Sequence, residues 1–148
     1  MRHVISVILQ NEVGALTRMT GLFSTRGYNI ESLNVAPTDD KNLSRVTLVV
    51  RGSNEAIEQL NSQLSKLIDV VGINHMTQGD HFERELLILK IKINSESQQE
   101  INHLITEFNA VILDDSIESY TIQLTGKIEE IDGFVSKIST LGTFQAVA

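Results

Sequence analysis

Cysteine is absent from the 148 residues, and proline occurs once, at Pro37. Without cysteine there are no disulfide staples, thiolate metal sites or cysteine nucleophiles, as suits a reducing compartment. An excess of positive charge is also lacking. Twelve basic residues face nineteen acidic ones, for a net charge of -7, which opposes attraction to phosphate backbones. No apolar run approaches the roughly 20 residues needed to span a bilayer. Met1-Arg2-His3 leads directly into a strand-like run, with nothing that looks like a targeting segment. The expectation is a soluble, cytoplasmic chain that binds neither nucleic acid nor membrane.

What is present is one pattern written twice. His3 to Leu9 is a β-branched apolar run, broken by Asn11-Glu12-Val13-Gly14. A helical stripe follows, with Leu16, Met19, Thr20 and Phe23 on one face, and Arg26-Gly27 ends it. Tyr28 to Val35 reads as a strand and Thr38-Asp39-Asp40-Lys41-Asn42 as a polar turn. Val46, Leu48 and Val50 then alternate with Arg45, Thr47 and Arg51, so one face of that strand is buried. Ser53 or Asn54 can cap a second helix, with the stripe Ile57, Leu60, Leu64 and Leu67. Val70 to Met76 closes a β-α-β-β-α-β order. In the second half Leu87, Leu89, Ile91 and Ile93 alternate with Leu86, Ile88, Lys90 and Lys92. Ser95 and Gln98 stand at capping-box spacing before Ile101, Leu104, Ile105 and Phe108. Val111 to Asp114 and Tyr120 to Thr125 form a hairpin with an acidic tip. Ile128, Ile131, Val135 and Ile138 mark a fourth helix that Gly142 is expected to stop, and Thr143 to Ala148 starts a last strand.

The reading is α+β: two ferredoxin-like βαββαβ units in tandem, over 1–77 and 84–148, joined by a linker at 78–83. Leu86, Ile88 and Val49 fall on faces the helices do not cover. A second sheet or a second chain is expected to cover them, and a homo-oligomer follows.

Catalytic motifs are scarce. No Walker-type phosphate loop, nucleophile elbow, HExxH or GxGxxG occurs. His75, Asp80, His81 and Glu83 cluster near the linker, but their spacing matches no ligand pattern on a helix or strand face, and solvation is the simpler role. Asp39-Asp40 and Asp114-Asp115 sit at turns, where aspartate serves local hydrogen bonding rather than acid–base chemistry. The same element order occurs in RNA-recognition modules, yet Val4-Ile5-Ser6-Val7 and Arg45-Val46-Thr47-Leu48-Val49 carry no aromatic side chain to stack on a base. No catalytic residue and no metal ligand is assigned.

Asn11 to Leu16 carries more information. It joins the first strand to the first helix, where unpaired backbone N–H groups make a ready anion site. Gly14, lacking a Cβ, lets a carboxylate approach the N–H groups of Ala15 and Leu16. The positive helix end adds about 0.3–1 kcal/mol, or ~2 when partly buried. Asn11 offers an amide oxygen to an ammonium group and an NH2 to a carboxylate. A free α-amino acid carries both charges. A tight turn with no ligand explains the same residues, and on them alone both readings stand.

The segment GYNIESLNVAPTDDKNLSRVT, Gly27 to Thr47, closely resembles the signature of acetohydroxyacid synthase (acetolactate synthase) small regulatory subunits. The opening HVISVILQNEVGALTRMTGLFSTRGYNIESL looks like their N-terminal ACT domain. The likeness continues through Ala56 to Leu67, Asp69-Val70 and Glu83-Arg84-Glu85-Leu86, and covers the second half in outline. The resemblance implies a homodimer in which two ACT domains pair side by side into one sheet, with a feedback amino acid, usually valine, at the pairing interface. Asn11, Gly14, Ala15 and Leu16 of one chain would hold it, and Asn29 and Ile30 of the other would complete the site. A methylene more or less shifts binding by only ~0.8 kcal/mol, so leucine and isoleucine are plausible cross-effectors. Catalysis would belong to a separate large subunit carrying thiamine diphosphate, FAD and Mg2+, with no cofactor in this chain. Two departures stand out. The family pattern runs on into a basic, glycine-containing tail beyond Phe144-Gln145-Ala146-Val147-Ala148, so an incomplete second sheet is expected. Asn34 stands where threonine is more usual. Other classes remain open: an amino-acid sensor linked to transcription would not bind the synthase, and an enzyme in its own right would consume pyruvate alone.

Overall fold

The computed structural model describes residues 1–148, which divide into two compact units, Met1–His81 and Phe82–Ala148. In the first unit the elements are β1 (Arg2–Gln10), α1 (Ala15–Arg26), β2 (Ile30–Pro37), β3 (Leu43–Arg51), α2 (Asn54–Leu64) and β4 (Val70–His75). They build an antiparallel sheet in the order β2-β3-β1-β4. In the second unit β5 (Glu85–Lys92), α3 (Gln98–Glu107), β6 (Val111–Asp115), β7 (Ser119–Gly126), α4 (Ile128–Ile138) and β8 (Thr143–Val147) repeat the topology as β6-β7-β5-β8. A 3-10 turn at Met76–Gln78 follows β4, and the Val4 N–H donates to Thr77 Oγ1 at 2.7 Å, tying that turn to β1. The two tandem βαββαβ units of the sequence reading are therefore present.

Each core lies between a sheet and its two helices. Ile5, Val7, Leu9, Val46, Leu48 and Val50, the alternate residues of the central strands, meet Ala15, Met19, Phe23, Ile57, Leu60 and Leu64. In the second unit Leu87, Leu89, Ile91, Ile122 and Leu124 meet Ile101, Leu104, Ile105, Ile131, Phe134 and Ile138. Fully burying side chains of this size is worth about 1.5–3 kcal/mol each. The helix ends follow local chemistry. Gly27 adopts a left-handed φ of 72° after α1, and the N–H of Tyr28 returns to Phe23 O at 2.9 Å. Ser53, rather than Asn54, caps α2 by accepting from the Ala56 N–H.

Several expectations are corrected. Leu16 is 37% exposed and lies outside the core, because α1 begins at Ala15 and turns Ala15, Met19 and Phe23 inward. Ser95 caps nothing. Ser97 stands at the helix start with no side-chain cap, and Asn94 Oδ1 accepts from the Ser97 N–H at 2.8 Å in the turn before it. Gly142 does not end α4, which stops at Ile138. Its lack of a side chain instead lets it pass β5, for a Cβ there would lie 2.6 Å from the Lys92 carbonyl oxygen. The second sheet is complete: β8 pairs with β5 from Thr143 opposite Lys92 to Val147 opposite Leu89. Val49 is buried beside its cross-strand neighbour Val4, so that part of the face is already closed, whereas Leu86 and Ile88 stay exposed.

Two glycines of the second unit should respond in opposite senses. Gly142→Ala presses a methyl group onto backbone and should cost about 1–3 kcal/mol. Gly133→Ala, inside α4 and with its nearest neighbour, Phe108 Cε1, at an ordinary 3.9 Å, should stabilise by about 0.5–1 kcal/mol. Urea unfolding of the two variants measures both signs.

Candidate functional site

At the end of β1 the chain leaves the sheet through Asn11, Glu12 and Val13 and enters α1 at Gly14. Gly14 holds φ 86° and ψ -11°, a left-handed conformation that disfavours a Cβ. No side chain caps this helix. The Ala15 N–H reaches Glu12 O at 3.2 Å, but the N–H groups of Leu16 and Thr17 have no acceptor in the chain. They open to solvent at the positive end of a twelve-residue helix.

The loop beneath this mouth is held on both flanks. On the β3 side the Asn11 N–H donates to Asn42 O at 2.7 Å, and Asn11 Nδ2 donates to Lys41 O at 2.9 Å. One amide hydrogen of Asn11 is thus spent on the β2–β3 turn; its Oδ1 is left to accept. On the β4 side the Gln10 N–H donates to Asp69 O at 2.8 Å. The Asp69 carboxylate, 4% exposed, grips Arg18 through Nε at 2.6 Å and Nη2 at 2.8 Å. This bidentate hydrogen bond holds the Asp69 carboxyl below its usual range against the opposing effect of burial, and raises Arg18 further. Both groups stay charged at neutral pH.

Sequence reasoning brought Asn11, Gly14, Ala15 and Leu16 together, and the fold does the same. It did not single out Arg18 or its partner Asp69. The available signal was spacing: Arg18 lies one helical turn beyond Gly14, on the same side of α1. Asn29 and Ile30 lie elsewhere in the chain. Ile30 pairs with Val50 and Val50 with His3, at the start of β1, whereas the mouth follows Gln10 at its finish. Eight residues of strand separate the two levels, roughly 25 Å. Within one chain these two residues do not meet the other four.

The remaining candidates disperse. Asp40 Oδ1 accepts from the N–H and Nδ2 of Asn42, a turn role. His75 packs against Asn61, its protonation disfavoured by burial and by nearby His3. His81 is half-buried, with Nδ1 beside Gly79 O. No three metal-binding side chains stand together, and no helix is long and apolar enough to cross a membrane.

Two βαββαβ units, each an antiparallel sheet under two helices, give the chain the α+β architecture of ACT-type domains. Residues 5–72 match the family model for the "AHAS small subunit-like ACT domain", and residues 84–147 match that for the "Small subunit of acetolactate synthase". The acetolactate synthase small subunit of Haemophilus influenzae is 46% identical over 138 residues, 93% of this chain and 85% of that one. The isozyme 3 small subunit of Escherichia coli is 43% identical over 148 residues, covering 100% and 91%. The crystal structure of the Thermotoga maritima acetolactate synthase small subunit superimposes with a TM-score of 0.89 at 29% identity, covering 100% and 92%. The chain belongs to the acetolactate synthase small-subunit family, and as such is a regulatory subunit rather than the catalytic one.

The Arg18–Asp69 pair should leave a mark on acid stability. Because the folded Asp69 carboxyl titrates below its unfolded counterpart, its contribution is whole above about pH 4 and is lost as pH falls through the lowered value. Asp69→Asn should therefore lower stability at neutral pH and flatten the acid limb below about pH 4. Urea midpoints across that range test this, and an unchanged acid limb contradicts it.

Proposed function

We propose that this chain is the feedback sensor of a cytoplasmic acetolactate synthase, associating with the catalytic large subunit, raising its activity and making it sensitive to valine. The carrying observation is the pair of N–H groups, Leu16 and Thr17, left without an acceptor beside the left-handed Gly14. A carboxylate is the partner such a mouth prefers, and Asn11 Oδ1 is positioned on the same loop to accept from an α-ammonium group.

A second copy completes the site. β2 is an edge strand, and from Glu31 onward its residues are exposed. Leu33 and Val35 are paired with the core residues Leu48 and Val46 but remain 39% and 40% exposed. Antiparallel pairing of β2 with its twin covers that edge and reverses direction. It carries Asn29 and Ile30 of the second copy from the far end of the sheet to the level of this mouth, and sets Val35 near a branched aliphatic side chain. On this reading each effector lies between two protomers, so binding is coupled to how the pair is arranged. Coupling of this kind is typically ~1–3 kcal/mol, and it requires different affinities for the two arrangements. Thiamine diphosphate, FAD and Mg2+ are assigned to the large subunit, which condenses pyruvate with pyruvate or 2-oxobutyrate in branched-chain amino acid synthesis.

Gly14→Asp sets a fixed carboxylate in the mouth, at a position where aspartate tolerates the left-handed backbone better than most residues. Calorimetry should show valine binding to the wild-type chain, with leucine and isoleucine weaker or comparable, and none to the variant. The reconstituted enzyme should lose valine inhibition while its subunits still co-elute. Undiminished valine sensitivity in Gly14→Asp moves the site elsewhere; pyruvate consumption by the isolated chain overturns the whole reading.

A further inference from the structure

Asp69 does three things at one place. Its carbonyl oxygen holds the Gln10 N–H where β1 ends. Its carboxylate is buried, and both its oxygens are taken by one edge of the Arg18 guanidinium. That fork fixes the plane of the guanidinium, since two parallel N–H···O bonds permit a single orientation. The third nitrogen, Nη1, is thereby turned onto Gly14. It stands 2.9 Å from where a Cβ on Gly14 would be, and Arg18 is the sole residue beyond the chain neighbours within 4 Å of that point.

We propose that Arg18, oriented by Asp69, is the positioning residue of the effector mouth, holding the Gly14 turn in its left-handed conformation and fixing a cation behind the N–H groups that receive the carboxylate. The proposal deepens the function given above and rests on it. Glycine is the residue with the most conformational freedom to lose, and a loop that must order on binding weakens the ligand by that cost. Here the ordering is done in advance. Asn11 secures the loop to the β2–β3 turn, and Asp69, in the α2–β4 connection, holds both the Gln10 N–H before the loop and Arg18 after it. The arrangement also has a polarity. Nη1 lies 2.9 Å from the place of a Gly14 Cβ, whereas no atom of Asp69 comes within 4 Å of that point, so the cation stands nearer the turn than the carboxylate does. Glu12, on the same loop, adds a negative charge in the neighbourhood of Arg18 and further favours its charged form. Lysine keeps the charge but cannot make the planar fork, which separates bracing from charge.

Two variants of the full chain test this. Arg18→Lys retains charge without the fork. Arg18→Met combined with Asp69→Leu removes both charges together, so that no buried carboxylate is left unpaired to unfold the protein. Calorimetry should give valine dissociation constants raised roughly 10-fold or more in both, the loss expected of a mouth that must order itself on binding. In the ligand-free protein, backbone NMR order parameters should fall at Gly14 to Leu16 in Arg18→Lys while the amide signals of Phe82–Ala148 stay in place. Wild-type order at Gly14 to Leu16 in that variant overturns the brace, whatever valine does. Wild-type valine affinity in both variants also overturns it, provided Gly14→Asp abolishes binding. If Gly14→Asp still binds valine, the effector reading fails instead, and the order parameters alone decide whether Arg18 holds the turn.

Discussion

A four-stranded sheet has two faces and two edges, and two helices cover one face. This constraint organises both units. The helix-covered face takes the alternating Val, Ile and Leu residues of the central strands and becomes the core. The outer strands are left as exposed edges. β2 and β6 occupy equivalent edges of their sheets, and along both nearly every residue is open to solvent. An unpaired edge is a template for another strand. In a sensor it is also the one place where a ligand site can be shared between copies without disturbing a core.

The same constraint explains how much could be read from the sequence. Period-two alternation in Leu87 to Ile93 and period-3.6 stripes such as Ile57, Leu60 and Leu64 report burial directly, so element order and core were legible. Helix ends were less so, because several polar residues compete for each cap. Ser95 has the spacing of a capping box, yet the Gln98 N–H it would engage is taken by the Asn94 carbonyl and the helix opens behind Ser97. Phe134 was missed as a core residue because Ile131 and Val135 already supply a stripe on that helix; in the structure Phe134 is fully buried and packs edge-on against Phe108.

The mouth was legible in its backbone and not in its charges. Asn11 and Gly14 announce a loop before a helix, and glycine at such a helix start is consistent with the left-handed turn that is found. Arg18 reads from sequence as one more solvated residue on a polar face. Its role depends on Asp69, 51 positions away, being delivered beside it by the α2–β4 connection. Long-range pairs of this kind have no local periodicity to betray them.

Duplication of the fold did not duplicate the mouth. The helix equivalent to α1 in the second unit is α3, and its opening has no left-handed glycine. There Asn94 supplies both acceptors, its Oδ1 to the Ser97 N–H and its carbonyl to the Gln98 N–H, and Ser97 O accepts from Ile101. The Gln99 and Glu100 N–H groups have no acceptor in the chain, as Leu16 and Thr17 have none at α1, so the two helix starts differ in the glycine and not in the number of free donors. The two units share a topology and differ in the few residues before one helix: a left-handed Gly14 precedes α1, and Ser97 in a right-handed conformation precedes α3.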